Sequence, residues 1–264
     1  MSELPINQIV CGDNCDVLRS FTNDCIDLVV TSPPYDDLRT YGGHEWDFYG
    51  VAWNLKRVLK PGGVIVWVIG DGVEEGSETG NSMRQALHFQ QIGLNLHDTM
   101  IYEKHSFRFP DSIRYYQIWE YMFVFSLGRP RAYSPIEDRK VKFAGDSVHG
   151  TSIDKHGNRI PNDSAGRIYK DFGVRHNLWK YAGGKGCTTP DSFAFEHPAM
   201  FPEKLARDHI LSWSNEGDIV LDPFSGSGTT AKMAKHNGRK YNGIEVNQEY
   251  CEIAEKRLQQ QVLF

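Results

Sequence analysis

The absence of several sequence features restricts the possible functions of this chain before any motif is considered. The 264 residues contain only five cysteines, an odd number without a C-x-x-C pair, which predicts reduced thiols and no metal site. No apolar run approaches the roughly 20 residues that span a bilayer, and the chain does not open with a charged segment followed by an apolar one. We therefore expect a cytoplasmic protein without a membrane segment.

Positive charge is also scarce overall, because 34 acidic residues outnumber 29 basic ones and the net charge is −5. This balance argues against a broadly basic nucleic-acid coat but allows a local basic face. The stretch from Arg129 to Glu196 holds 12 Lys or Arg against 8 Asp or Glu, a net charge of +4, and the remainder carries −9. Such an asymmetry, with aromatic residues interleaved, predicts an insert that faces phosphates, although a loop-rich insert without special function stays open.

Strand-like and helix-like patterns alternate along most of the chain, which predicts an α/β fold. The predicted strands cover residues 8–11, 26–30, 64–69, 96–103, 119–126, 219–221 and 241–244. The predicted helices cover residues 15–21, 49–59, 82–91 and 202–213. A fifth helix follows the turn at 222–230 and runs to about residue 236, and a sixth is capped by Asn247 and runs to about residue 260. In open sheets of this class, ligands bind at the carboxyl ends of the strands, so the segments that follow the strands are the candidate sites.

The peptide over residues 31–35, T-S-P-P-Y, lies at one of these carboxyl ends. The Ser32 hydroxyl and the Pro33 carbonyl can both accept hydrogen bonds, and Pro34 has no N–H that could occupy that carbonyl. Two neighbouring acceptors suit an amino group, and Tyr35 could stack on a planar base. On its own, the same peptide is also compatible with a simple turn that closes a strand.

A glycine-rich turn, Asp222 to Thr230, connects another strand to a helix. Glu245 ends the following strand, 23 residues after Asp222, where nucleoside-binding α/β units place a carboxylate for the ribose hydroxyls. The turn does not fit a P-loop, because no Lys follows its glycines, and it lacks the full dinucleotide fingerprint. A single nucleoside with a compact charged tail fits better, and S-adenosylmethionine is the obvious candidate. After the first strand, Asp13 or Asn14 could cap the following helix, and Asp13 could alternatively accept a hydrogen bond from a ligand.

With residues 31–35 and 222–230 considered together, the chain resembles the amino-group DNA methyltransferases, which act on N4 of cytosine or N6 of adenine. The order of the motifs is similar to the β-type permutation of that family. The resemblance implies a Rossmann-like S-adenosylmethionine-dependent methyltransferase sheet that is circularly permuted and carries an inserted target-recognition region. It divides the chain into a catalytic half (1–128), the recognition insert (129–196) and a cofactor-binding half (197–264).

The resemblance also implies roles for individual residues. Ser32, Pro33, Pro34 and Tyr35 would form the catalytic site, and residues 119–121 fall where the family has a strand bordering the base pocket. The implied cofactor-binding residues are Asp13 for the adenine edge, Glu245 for the ribose, Pro202 near the methionine moiety, and Asp222, Pro223, Phe224, Gly226, Gly228 and Thr229 from the glycine turn. The loop over residues 36–47 could close on the substrate as a lid.

Within the family, Ser at position 32 goes mainly with N4-cytosine enzymes, whereas Asp or Asn goes with N6-adenine enzymes. We therefore expect methyl transfer from S-adenosylmethionine to N4 of cytosine in double-stranded DNA by base flipping, with N6 of adenine as the alternative. A homodimer and a separate cognate restriction endonuclease are both compatible with this interpretation. The rival interpretations are an RNA or protein-amide methyltransferase, a nucleotide-dependent oxidoreductase and a non-catalytic DNA-binding module.

Overall fold

The computed structural model describes residues 4–35, 46–105, 112–162, 164–184, 186–197 and 200–260. Most of the predicted lid, residues 36–45, lies outside these described residues. The chain forms two compact units, one made of Met1–Ser134 with Asn177–Phe264 and the other of Pro135–His176. The second unit contains fewer residues than the predicted insert 129–196. Residues 129–134 and 177–196 of that insert belong to the first unit.

Strands and helices alternate through the first unit, whereas the second unit contains only short strands. The strands are β1 (Gln8–Cys11), β2 (Ile26–Thr31), β3 (Leu59–Ile69), β4 (Val73–Glu74), β5 (Ser77–Glu78), β6 (Asn95–Lys104), β7 (Trp119–Ser126), β8 (Arg139–Lys140), β9 (Thr151–Ile153), β10 (Arg159–Pro161), β11 (Phe172–Gly173), β12 (Leu178–Tyr181), β13 (Ile219–Asp222) and β14 (Lys240–Glu245). The helices are α1 (Asn14–Ser20), α2 (Phe48–Val58), α3 (Asn81–Gln91), α4 (Glu203–Trp213), α5 (Thr229–His236) and α6 (Gln248–Gln259), with a short 3-10 helix at Ser192–Glu196.

The first unit is built on an eight-stranded sheet in the order β1-β14-β13-β2-β3-β7-β6-β12. The strands from β1 to β3 in this order run parallel, β7 runs antiparallel to both of its neighbours, and β12 is parallel to β6. The strand before the glycine turn, β13, lies between the C-terminal β14 and the N-terminal β2. N-terminal strands therefore complete the sheet around the glycine turn, whereas the circular permutation itself stays a prediction.

The centre of the sheet is buried on both faces, which explains its almost continuous apolar strands. In β3, alternate residues Ile65, Trp67 and Ile69 pack in the core cluster formed with helices α1, α2 and α3. Val64 and Val66, which alternate with these residues along the strand, are also buried. Their side chains point to the opposite face, since side chains alternate along a strand. This packing holds the central strands rigidly and fixes where their carboxyl ends lie.

Strand β3 begins five residues earlier than predicted. Leu59 pairs with Ile26 directly after α2 ends at Val58, so the K-P-G-G segment, residues 60–63, lies within the strand. Gly62 has a φ of 79°, and a Cβ at this position would lie 3.0 Å from the carbonyl oxygen of Arg129. Glycine therefore allows the close passage of two chain segments here.

Strand β12 was not predicted, because residues 178–181 were assigned to the insert. These residues pair in parallel with β6 and extend the main sheet. Trp179 and Tyr181 are buried while Leu178 and Lys180 are exposed, an alternation that indicates a half-buried strand. Pro202 also differs slightly from expectation, since it is the N-cap of α4 rather than its first helical residue.

The second unit, Pro135–His176, consists of two small antiparallel pairs, β9 with β10 and β8 with β11, joined by loops. It contains eight Lys or Arg against six Asp or Glu. Arg175 forms an ion pair with Asp138, and Lys170 lies 3.7 Å from Glu137. No ion pair with another described residue involves Lys140, Lys142 or Arg167. These cations are consequently available to a partner with negative charge.

Two further findings concern the cysteines and the helices. All five cysteines lie within the described ranges as free thiols. Within those ranges, no helix combines the length and the apolar character needed to cross a membrane.

Candidate active site

The two sequence motifs leave the sheet side by side. Strands β2 and β13 pair in parallel, with Leu28 opposite Val220 and Val29 opposite Leu221. At their carboxyl ends, the Thr31 hydroxyl donates a hydrogen bond to Asp222 Oδ1 at 2.6 Å. The T-S-P-P-Y peptide and the glycine turn, which are nearly 200 residues apart in the chain, are thus joined at one edge.

Asp222 lies in the interior beneath the glycine turn. Its carboxyl group is buried and accepts hydrogen bonds from Thr31 and from the Phe224 backbone N–H, the latter at 3.1 Å. Burial raises the pKa of Asp222 to about 6, and the two hydrogen bonds oppose that rise. The geometry gives Asp222 the task of shaping the turn and linking it to β2.

Glu245 connects the end of β14 to the same turn. One carboxylate oxygen accepts the Gly226 N–H at 2.8 Å and the other accepts the Asn247 N–H at 2.9 Å. Gly226 has a φ of 49°, and a Cβ there would lie only 2.7 Å from the His197 ring. The Glu245 carboxylate is therefore in direct contact with the glycine turn. The spacing in the sequence assigns both to one nucleoside site.

Asp13 and Asn14 follow the end of β1, where Cys11 pairs with Glu245 and the Gly12 N–H donates to the Glu245 backbone carbonyl at 2.9 Å. The Asp13 side chain caps α1 by accepting the Asp16 N–H at 3.0 Å, so the predicted cap is confirmed. Asn14 was considered only as the alternative cap, and no role in binding was predicted for it. Its amide nitrogen lies 3.4 Å from the Pro223 carbonyl, and its buried Oδ1 has no hydrogen-bond partner among the described residues.

The other predicted residues of the turn contact neighbouring elements. The Phe224 ring packs edge-on against Trp46, with ring centroids 4.8 Å apart. Gly228 has a φ of 77°, and a Cβ there would lie 2.8 Å from the Ala254 Cβ, so the turn presses directly on α6. Thr229 is buried and its hydroxyl accepts a hydrogen bond from Arg257 at 3.1 Å.

A buried ionic cluster of Asp191, Glu203, Lys232 and Arg257 lies behind the glycine turn. Lys232 is 2.7 Å from Asp191 and 2.9 Å from Glu203, and Arg257 is 2.9 Å from Asp191 and 2.7 Å from Glu203. Burial opposes ionisation of Asp191, but the hydrogen bonds from both cations outweigh it and hold its pKa below the ordinary value. Arg257 also donates to the Ser227 carbonyl at 2.7 Å, so the cluster supports the turn.

Ser32 and Tyr35 belong to a chain of polar contacts at the end of β2. The two hydroxyl oxygens are 2.8 Å apart, and the Tyr35 hydroxyl donates to Glu120 Oε2 at 3.1 Å. Glu120 lies near the start of β7 and forms an ion pair with Lys104, the last residue of β6. The stretch 119–121, which had no assigned role, thus contributes a carboxylate next to Tyr35.

This arrangement can now be compared with known proteins. A family model described as DNA methylase matches residues 26–256, which include the T-S-P-P-Y peptide, the glycine turn and Glu245. The chain belongs to this family. The prediction of an amino-group DNA methyltransferase is therefore confirmed.

Several relatives, and several solved structures of other proteins, match this methyltransferase over nearly its full length. The orphan methyltransferase M.BamHII of Bacillus amyloliquefaciens is 56% identical over 249 residues, which are 93% of this chain and 94% of that protein. The structure of PvuII DNA methyltransferase, described as cytosine-N4-specific, matches with a TM-score of 0.67 at 23% identity, covering 97% of this chain and 87% of that one. The structure of TTHA0409 from Thermus thermophilus, solved in complex with S-adenosyl-L-methionine, matches with a TM-score of 0.61 at 26% identity, covering 95% of this chain and 93% of that one.

These similarities confirm the predicted fold class, the α/β sheet of S-adenosylmethionine-dependent methyltransferases. The methyltransferase is an enzyme of the class that uses S-adenosylmethionine as methyl donor. The roles predicted for single residues and the base that is methylated are finer questions, which depend on the geometry of the site.

Proposed function

We propose that this methyltransferase transfers a methyl group to N4 of cytosine in double-stranded DNA. The observation that carries the proposal is the junction of the two motifs, where the bond from Thr31 to Asp222 joins the S-P-P-Y peptide to the glycine turn. An amine bound at Ser32 would consequently lie beside a cofactor bound at that turn. The choice of cytosine over adenine rests on Ser at position 32, the residue that goes mainly with N4-cytosine enzymes in this family.

The proposed task of Ser32 and of the Pro33 carbonyl is to orient the amino group. The lone pair of an exocyclic amine is shared with the ring of the base, so the amine is a poor nucleophile. Two acceptors that hold both hydrogens out of the ring plane would localise that lone pair on nitrogen. Tyr35 would pack against the flipped base, and a bound cofactor supplies an activated methyl group that the amine can attack in line.

The glycine turn and its neighbours fit a nucleoside with a charged tail. Glu245 is held at the sheet edge by two backbone N–H groups and offers a carboxylate to ribose hydroxyls. The buried Asn14 Oδ1, without a partner among the described residues, is an acceptor that a donor group of the cofactor would satisfy. We assign cofactor binding to Asp13, Glu245, Pro202 and the turn residues Asp222, Pro223, Phe224, Gly226, Gly228 and Thr229.

N6 of adenine is the alternative acceptor for the same site. A hydroxyl and a carbonyl oxygen would hold either amine, so this geometry fits both bases equally well. Recognition of the surrounding sequence is assigned to the region 129–196, and its phosphate contacts to the exposed cations of Pro135–His176. A cytoplasmic location, a homodimer and a separate cognate endonuclease stay predictions.

A transfer assay with different acceptors tests the proposed substrate class. The protein is incubated with S-adenosylmethionine carrying a labelled methyl group and with duplex DNA of mixed sequence, RNA or a peptide library. We expect label in DNA alone. Label in RNA or peptide but not in DNA would contradict the proposal.

Two variants separate amine binding from cofactor binding. Ser32→Ala should lower transfer at least about 100-fold while it leaves the cofactor dissociation constant within about twofold, because Ser32 is assigned to the amine and not to the cofactor. Glu245→Ala should weaken cofactor binding at least about tenfold. Ser20→Ala and Glu252→Ala, two exposed positions on α1 and α6, are matched controls. Full activity of Ser32→Ala would show that Ser32 is not the amine acceptor.

A further inference from the structure

We propose that Glu120 is a positioning residue that acts through Tyr35 to hold the Ser32 hydroxyl as a hydrogen-bond acceptor toward the substrate. The inference rests on the proposed function, in which Ser32 receives the amino group. Glu120 itself does not contact the reacting atoms in this assignment.

The directions of the hydrogen bonds follow from the number of protons available. An ionised carboxylate can only accept, so the Tyr35 hydroxyl, which has a single proton, donates it to Glu120 at 3.1 Å. The 2.8 Å contact between Tyr35 and Ser32 then requires a proton from Ser32. Each hydroxyl in the sequence Ser32, Tyr35, Glu120 therefore donates toward the carboxylate.

This polarity matters for the chemistry at Ser32. Because its only proton is committed to Tyr35, Ser32 Oγ presents lone pairs and no donor to an incoming base. Together with the Pro33 carbonyl, it forms a pair of acceptors that fits an NH2 group and repels a carbonyl oxygen. Without Glu120, the Tyr35 proton could turn toward Ser32, and the Ser32 proton could then point at the amine and compete with its binding.

Neighbouring groups keep the Glu120 carboxylate in place. Its side chain is 14% exposed and forms an ion pair with Lys104. Glu120 pairs with Tyr102 of β6, and this pairing fixes the position of Glu120 along the strand direction. Gly70, at the end of β3, lies beside both partners, since a Cβ there would be 3.5 Å from Glu120 Cγ and 3.6 Å from Tyr35 Cε2. The position of Glu120 is thus set by three adjacent strands.

A double-mutant cycle tests the inference by measuring kcat with saturating cofactor and duplex DNA. Glu120→Ala should lower kcat roughly tenfold, as expected for the loss of one oriented hydrogen bond, with cofactor affinity unchanged. In a Ser32→Ala background, the same substitution should cost less than about twofold, because the hydroxyl that it orients is absent. Tyr35→Phe gives a second background, which keeps the ring but removes the connection, and the same small cost is expected there.

Glu103→Ala is the matched control. Glu103 precedes Lys104 in β6 and pairs with Lys180, so this variant removes a similar carboxylate from an ion pair without affecting Tyr35. We expect less than about a twofold change in kcat. A full Glu120→Ala cost in either background, or equal losses from Glu103→Ala and Glu120→Ala, would overturn the inference. A wild-type protein that puts no label into DNA would instead refute the proposed function on which the inference depends.

Discussion

At the scale of the residue, Asp222 makes the stability of this methyltransferase depend on pH. Its pKa in the folded protein is about 6, above the ordinary value of 3.8, because burial disfavours the charged form. The stabilising contribution of the protonated group is therefore fully present below pH 3.8 and is lost as the pH rises through 6. The loss amounts to about 3 kcal/mol at most.

Asp222→Asn should remove this dependence, because an amide keeps an acceptor oxygen for Thr31 and Phe224 and does not ionise. The free energy of unfolding of the wild type relative to the variant should fall by about 2–3 kcal/mol between about pH 4 and pH 7. Urea unfolding of both proteins at intervals across that range measures it. Parallel pH profiles would mean that Asp222 has an ordinary pKa in the folded state.

At the scale of the element, the buried ionic cluster ties α4, α5 and α6 to the glycine turn. Arg257 is fully buried and contacts Asp191, Glu203 and the Ser227 carbonyl. Removing one member of such a cluster leaves the remaining charges without compensation in the interior. The stability of the fold and the shape of the glycine turn consequently both depend on Arg257.

Arg257→Met should lower the free energy of unfolding by about 3–5 kcal/mol and weaken cofactor binding, because Lys232 is then the one cation among the described residues that still pairs with Asp191 and Glu203. Arg19→Met is the control, since Arg19 forms an exposed ion pair with Asp16 and its loss should cost no more than about 1 kcal/mol. Urea unfolding and cofactor titration measure the two effects. Equal destabilisation by both substitutions would contradict the assigned role of the cluster.

The elements also differ in how well the sequence predicts them. Strands β2 and β7 and helix α2 follow clear apolar patterns, and the spacing of Glu245 from Asp222 predicts that both belong to one nucleoside site. The short strand β12 is less visible, because four alternating residues in a loop-rich stretch carry a weak signal. Its place in the sheet depends on pairing with β6, which lies more than 70 residues earlier in the chain.

Side-chain contacts between distant segments could not be predicted for the same reason. Glu120 meets Tyr35 only because β7 and β2 flank β3, and a sequence pattern does not specify that order of strands. One pattern indicates that Arg257 is buried, because this charged residue lies beside Ala254 and Leu258 on the buried stripe of α6. A cation in such a position indicates a buried partner but does not identify Asp191 or Glu203.

At the scale of the whole molecule, the uneven charge distribution predicts where DNA binds. Replacing Lys140, Lys142 and Arg167 in the second unit with Ala should weaken DNA binding and lower the slope of log K against log salt. Each lost phosphate contact reduces that slope by about 0.9, so the change should lie between about 1 and 3. Binding measured at several salt concentrations by fluorescence anisotropy provides the slope.

A matched control separates local contacts from net charge. Arg19, Lys240 and Lys256 are exposed cations of the first unit, and their joint replacement with Ala changes the charge by the same amount. We expect this variant to keep the wild-type slope. A similar loss of slope in both variants would show that the second unit has no special part in phosphate binding.

The central property proposed for this enzyme is methylation of an amino group of a DNA base. The most direct test is to incubate the wild-type protein with S-adenosylmethionine and mixed-sequence duplex DNA, digest the DNA to nucleosides and identify the methylated product by mass spectrometry. We predict N4-methylcytosine. N6-methyladenine would keep the site and overturn the choice of base, whereas 5-methylcytosine or the absence of any methylated nucleoside would contradict the account.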